Sequence, residues 1–410
     1  MNVPEKIPVL MPGTQRLLMP VIRQDGKGIN DFCVVQDDNR IWHIFSITWF
    51  GAHEHPEPRC CLSHATAPDL LGPWTRQDYI KLTDSNNWAP HIVRDPYRPE
   101  MFLMYIGGMP KDTLRCYESH GTDLFHWTLR RDYGWELGTR DPMILYVEAE
   151  RRYYMYTTYT TQTDSNVGIA ISVSEDLDKW ELLRIIPVAP GEVLDESPFV
   201  VYRDGWYYMW ATWSSRSFYL GTPTRIFASR DPLFPEIEHT GEAFACASWP
   251  VHAVEIVSHG GREYLCQTGT GGPGIVATEM SWVPNGEKKT ISGDKLNYQG
   301  IWRFDGHEWF STQAGSGFVY QFSGRRAEIW GSLAMDGGIC EIFIDGVSMG
   351  KVSQYACDSE FFTEVYRDGF LWSSPLLEHA DHKIEVVVTG EKGPLATGCR
   401  IRVGKLSVYD

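Results

Sequence analysis

Nowhere in its 410 residues does the chain stay apolar for the roughly twenty positions a bilayer demands, so no membrane partner is expected. Long amphipathic helices are missing too, since no stretch sustains a 3.6-residue hydrophobic period. Residues 1–10 lack a basic start followed by an apolar core, which makes a cytoplasmic location the expectation, with a trimmed secreted chain as the alternative. Positive charge is scarce. With 37 Lys and Arg against 53 Asp and Glu, the formal charge is −16, the reverse of the clustered cationic surface that binds phosphate backbones. Nucleic acid is thereby excluded as a partner, while oligomeric state is left open. The nine cysteines include no CxxC pair and are scattered, several within apolar runs, which reads as buried free thiol rather than a disulfide framework or a zinc site.

What the chain does have is aromatic side chains and short β-prone runs. Hydrophobic residues make up 43% and aromatic residues 13%, ample for a packed core; 16 Trp and 20 Tyr also offer faces for sugar rings, although β-proteins are rich in them anyway. The runs come in pairs joined by turns, as in Phe199 to Tyr202 and Trp206 to Trp210 around Asp204-Gly205, the mark of a β-hairpin. A polar residue opens each hairpin: Asp31, His91, Asp141, Glu196 and His252, spaced by 50 to 60 residues. A second signature, Ser followed by Asp-Leu and then Trp, ends on Trp74, Trp127 and Trp180, two equal spacings of 53 residues. A period near 50 with four short strands per unit predicts a β-propeller, because each unit buries both faces only when its neighbours stack on it.

Five blades are counted, starting near Asn30, Trp88, Thr139, Asp195 and Trp249. Residues 1–25 are expected to form an arm or a strand that closes the ring. The polar, turn-rich segment 284–293 reads as a linker. Beyond it, short alternating strands such as GFVYQF, ICEIFIDG and HKIEVVVTG predict an antiparallel, jelly-roll-like β-sandwich. The expected fold is thus all-β, with a five-bladed propeller over residues 1–292 and a sandwich accessory domain over residues 293–410.

In a propeller the innermost strands line a central channel, so residues at equivalent places in the repeat converge on one mouth. Asp31, Asp141 and Glu196 are three acids in such places. A single Asp before a strand is usually a turn residue. Three brought together repel one another and raise one another's pKa, an arrangement suited to general acid–base chemistry rather than to stability.

Asn30-Asp31, Trp88-Ala89-Pro90, Arg140-Asp141-Pro142 and Glu196-Ser197-Pro198, taken with the Ser…Asp-Leu…Trp repeat, resemble glycoside hydrolase family 43 over about residues 28–285. The fructosidases of families 32 and 68 are similar. The resemblance implies Asp31 as general base, Asp141 as the acid that orients and tunes, and Glu196 as general acid. Two departures stand out: His91 occupies a place where family 43 usually has Asp, and Phe32 after Asp31 replaces the fructosidase Pro-Asn-Gly turn. By this reading Glu196, backed by an apolar strand, carries a raised pKa, Asp31 stays ionised, and Arg140 holds Asp141 charged and reaches a sugar hydroxyl.

The substrate-binding set is Asn30, Trp49, Trp88, His91, Arg140, Trp213, Trp249 and His252. For each Trp, core packing is the competing reading. His91 and His252 either contact hydroxyls, hold a structural cation in the channel, or are satisfied core histidines. No cofactor is called for. His53 and His55 resemble a metal pair by spacing alone, and no third ligand is near them. The C-terminal region resembles the galactose-binding-like modules often joined to glycosidases. The expected activity is exo-acting, inverting hydrolysis of furanosides or small pentosides (arabinofuranose, galactofuranose, fructose or xylose units). The alternatives are a retaining fructosidase or fructosyltransferase with Asp31 as nucleophile, and a non-catalytic sugar-binding propeller.

Overall fold

The computed structural model describes the chain apart from residues 1–3, 12–13, 15, 21–26, 51–60, 83–86, 108–112, 135–139, 160–167, 189–193, 215–223, 239–245, 250, 269–273, 356–365 and 394–395. The protein is all-β; among the described residues the helical content is one 3-10 turn, Gly293–Lys295. Among the described residues no helix is long and apolar enough to cross a membrane.

Between residues 27 and 284 the strands form five antiparallel sheets in chain order. The first joins Lys27–Gln36, Trp42–Phe50 and Cys61–Ala67, with two short strands on the last of these. The second runs from Trp88–Arg94 to Thr128–Gly134, the third from Arg140–Val147 to Glu181–Pro187, and the fourth from Leu194–Arg203 to Ala247–Trp249. The fifth comprises His252–His259, Arg262–Thr268 and Gly274–Pro284. Its outer side is completed by N-terminal strands Lys6–Leu10 and Arg16–Pro20, both paired with Gly274–Pro284. The residue 1–25 segment therefore does supply closing strands.

The first strand of each sheet packs against the first strand of the next, and His252–His259 returns to Lys27–Gln36, so the five sheets make a closed ring. Burial follows from this geometry. Met101–Gly107, held between neighbours on both faces, is buried almost throughout, whereas Thr128–Gly134 at the rim of the same sheet is largely exposed. Apolar cores fill the gaps between sheets: Phe45, Leu62 and Met104 between the first and second, Leu103, Ile144 and Met155 between the second and third. The hairpin turn Asp204-Gly205 takes φ of 51° and 80°, the left-handed pair that Asp-Gly admits and that matches strand twist.

After Pro284 the described strands form three antiparallel sheets, of four, five and three strands, around one core that includes Phe318, Ile329, Ile342, Val386, Ile401 and Leu406. Segment 284–293 is more than a linker: Lys288–Ser292 is a strand paired with Lys405–Tyr409, so it belongs with the C-terminal sheets. Alternation within that strand is weak, which hid it. Trp330 from this region joins the core of the third to fifth sheets. The seven described cysteines are all free thiols, four of them buried.

Candidate active site

Every inner strand breaks its ladder near its start. In the second to fifth sheets the pairing skips two residues, between Trp88 and His91, Arg140 and Met143, Glu196 and Phe199, and His252 and Glu255. In the first sheet it skips one, between Asn30 and Phe32, and leaves Asp31 unpaired in the ladder. The first skipped residue is left-handed in all four two-residue bulges: Ala89 at φ 47°, Asp141 at 54°, Ser197 at 52° and Ala253 at 48°. None is glycine, so each costs on the order of 1–3 kcal/mol, a strain typical of sites built for function. Pro90, Pro142 and Pro198 take the second skipped place, where the ladder needs no N–H. Bulges re-aim side chains. Here bulge residues from all five sheets line one cavity on the ring axis, among them Asp31, Ala89, Asp141, Ser197 and Ala253.

The ladder corrects the register read from sequence. Trp88, Arg140, Glu196 and His252 are equivalent, and Asp141 matches Ser197 instead of Glu196. His91 lies three residues deeper, equivalent to Met143, Phe199 and Glu255, and so stands away from the mouth.

Convergence survives the shift in register, because strand-end side chains reach sideways across the bulges. The Ser197 hydroxyl donates to Asp31 Oδ1 at 3.3 Å, and the Ser197 backbone N–H donates to Asp141 Oδ2 at 3.3 Å. Thr158, across the ladder from Arg140, also donates its hydroxyl to Asp141 Oδ2. Arg140 Nη2 donates to Glu196 Oε2 at 2.7 Å, while its Nε lies 3.5 Å from Asp141 Oδ2. On the other side, His252 Nε2 sits 3.2 Å from Asp31 Oδ1. Three carboxyl groups thus share one site with the Arg140 guanidinium and the His252 imidazole.

Burial pushes the Asp141 carboxyl up to about 7; Arg140 opposes this, but the charges of Asp31 and Glu196 add to it. Arg140 thus favours the charged form of Asp141, as the sequence reading has it, without offsetting the burial, and its short bond goes to Glu196. For His252, burial works against the charged ring, yet the bond to Asp31 and the surrounding acids outweigh it and raise the pKa.

The remaining expected contacts divide. Trp88 is half-buried, with the Arg140 guanidinium 5.8 Å from its ring centre, and stands at the site. Trp249 does not: it is 3% exposed and packs on Trp210 in the core. The side chains of Asn30, Trp49 and Trp213 lie outside the described residues, as do His53 and His55 altogether. Sequence reading missed Ser197 and Thr158 as partners of the acids, and it missed Glu255 and Cys33 beside His91. The signal for Glu255 was present, since it follows His252 by the three residues that separate His91 from Trp88.

No protein-family model matches the sequence, and no curated protein matches it. Solved structures do. An exo-β-1,3-galactanase from Phanerochaete chrysosporium, with galactose, is similar at a TM-score of 0.50 and 11% identity over 98% of this chain and 100% of that one. A variant of that enzyme with β-1,3-galactotriose gives the same values. A fructofuranosidase variant from Schwanniomyces occidentalis, complexed with fructosylnystose, has a TM-score of 0.49 at 13% identity, over 92% of this chain and 94% of that one. At such identities the likeness is one of fold.

Proposed function

We propose that this protein is a glycoside hydrolase of the family 43 type, in which a five-bladed propeller carries the active site and a β-sandwich is its accessory. The ring of five sheets and the separate C-terminal core between antiparallel sheets support that architecture, with the boundary near residue 285 because Lys288–Ser292 pairs with the C-terminal strand. The observation that carries the function is the meeting of Asp31, Asp141 and Glu196, from three sheets, around Ser197, Arg140 and His252. A sugar-binding protein has no use for three close acids that weaken its fold.

In the inverting reading, Asp31 takes a proton from a water whose oxygen attacks the anomeric carbon. The bond to the leaving oxygen breaks as Glu196 gives that oxygen a proton. Asp141 orients, and Arg140 ties it to Glu196. The pKa of about 7 at Asp141 favours a second reading with these two roles exchanged, since about half of the Asp141 carboxyls then carry a proton at neutral pH. Exo-acting hydrolysis of arabinofuranosyl, galactofuranosyl, fructosyl or xylosyl units remains the substrate proposal. The sugars held by the two galactanase structures add galactosyl units to it.

A panel of nitrophenyl furanosides and pyranosides tests this. At least one should be hydrolysed, with turnover falling about 10²–10⁴-fold in Asp31→Asn and in the variant of the true acid. A substrate with a good leaving group should rescue Glu196→Gln if Glu196 is the acid, and Asp141→Asn if the roles are exchanged. Sugar binding without turnover on any member would establish the lectin reading instead.

A further inference from the structure

A second polar cluster lies below the acids. The first residues after the five bulges are Phe32, His91, Met143, Phe199 and Glu255, three apolar and two polar. His91 and Glu255 belong to the second and fifth sheets, which flank the first, and Cys33 of the first sheet sits between them. All three residues are buried, and one donor atom from each lies within 4.8 Å of the others. His91 Nδ1 is 3.8 Å from Glu255 Oε1, beyond hydrogen-bonding distance. That nitrogen has no hydrogen-bond partner, although the His91 side chain is only 9% exposed. A buried, unpartnered imidazole nitrogen aimed at a carboxylate and a thiol is costly unless something accepts its lone pair.

A cation does so, and the donors select its class. Calcium and magnesium are held by oxygen atoms, whereas sulfur, imidazole nitrogen and one carboxylate oxygen suit zinc and its neighbours. Metal–ligand bonds of about 2.0–2.3 Å set tetrahedral donors roughly 3.3–3.7 Å apart. The His91–Glu255 separation is already close to that, and Cys33 needs to draw in by about 1 Å. Glu255 also lines the cavity that holds the acids, so a fourth position would open towards it.

We propose that Cys33, His91 and Glu255 form a binding site for a divalent transition-metal ion of the zinc class, with its fourth position open to the cavity. The site stands on these three residues alone and does not depend on the glycosidase reading.

The test uses the full-length protein, stripped with chelator, dialysed, and loaded with Zn²⁺ or Co²⁺. Elemental analysis should find one zinc per chain, and cobalt should give a near-ultraviolet thiolate-to-metal charge-transfer band. Cys33→Ser should abolish the band and weaken zinc binding at least tenfold, while Cys116→Ser, at another buried thiol, leaves both unchanged. Glu255→Gln keeps the side-chain shape and should also weaken zinc binding at least tenfold; it decides the matter if Cys33→Ser fails to fold. Failure to retain zinc, a band that persists in Cys33→Ser, or wild-type affinity in Glu255→Gln would each overturn the proposal.

Discussion

The hydroxyl of Ser197 rests 3.3 Å from Asp31 Oδ1, although 166 residues separate the two in the chain. The same residue turns its backbone N–H to Asp141. One residue on a strained bulge therefore links two acids from different sheets, one through its side chain and one through its backbone.

Replacing Ser197 separates its two contributions. Ser197→Ala and Ser197→Gly both lose the bond to Asp31, and each should lower kcat about tenfold with KM little changed, the loss of one hydrogen bond to a charged group. Only glycine relaxes the left-handed φ of 52°, so Ser197→Gly should be more stable than Ser197→Ala by about 1 kcal/mol. Steady-state kinetics and thermal unfolding check this. Equal stabilities, or unchanged kcat in both, would contradict it.

Stability should fall on the alkaline side. Asp141 titrates near 3.8 when unfolded and near 7 in the fold, so between those values the folded chain keeps a proton that the unfolded chain has lost. His252 acts in the same sense. Its pairing with Asp31 contributes fully below about 6.5 and fades as pH rises through the raised folded value. Asp141→Asn should thus match the wild type near pH 4 and exceed its Tm by several degrees near pH 8. A Tm difference that does not change with pH would refute the assignment.

Arg140 bridges two acids, which a lysine ammonium does not reproduce. Arg140→Lys should lose about 100-fold in kcat/KM, and Arg140→Ala should destabilise by about 3 kcal/mol because it strands a buried Glu196. The double variant Arg140→Ala with Glu196→Gln should recover the stability and none of the activity. Denaturant unfolding and kinetics on the three proteins would show whether the pair is coupled.

Ring closure gives a prediction away from the site. Deleting residues 1–20 removes the two N-terminal strands that pair with Gly274–Pro284 and uncovers the buried face to which Ile7, Val9, Leu18 and Met19 contribute. The truncated chain should melt more than 10 °C lower or fail to remain soluble, at about 25 cal/mol per Å² of apolar surface exposed. A truncated protein with wild-type Tm would show that the closure is dispensable.

The repeat was legible in the sequence because one turn closes unit after unit. Asp69, Asp123, Asp176 and Asp231 each accept the backbone N–H two residues on, and Leu70, Leu124 and Leu177 are fully buried beside them. Trp74 and Trp127 then return their indole N–H to the carbonyls of Leu70 and Leu124. Such a motif is local, so its letters reveal it. Register is not local. Each bulge adds one residue, but it leaves one inner-strand position outside the ladder in the first sheet and two in the others, and nothing in Asn-Asp-Phe or Glu-Ser-Pro marks the difference. His91 was therefore read at the mouth when it lies deeper, and Glu255 went unread. Trp249 was read as a sugar platform, but its burial depends on Trp210, a contact between strands that the chain order does not announce.

In the proposed mechanism Asp31 and its partner acid hydrolyse a glycosidic bond with inversion. Proton NMR of the first-formed sugar, recorded before mutarotation on whichever nitrophenyl glycoside is turned over, tests it most directly. Inversion yields an anomer opposite to the substrate's, and Asp31→Asn should give no product over the same period. A retained anomer, or a glycosyl adduct trapped on Asp31, would contradict it.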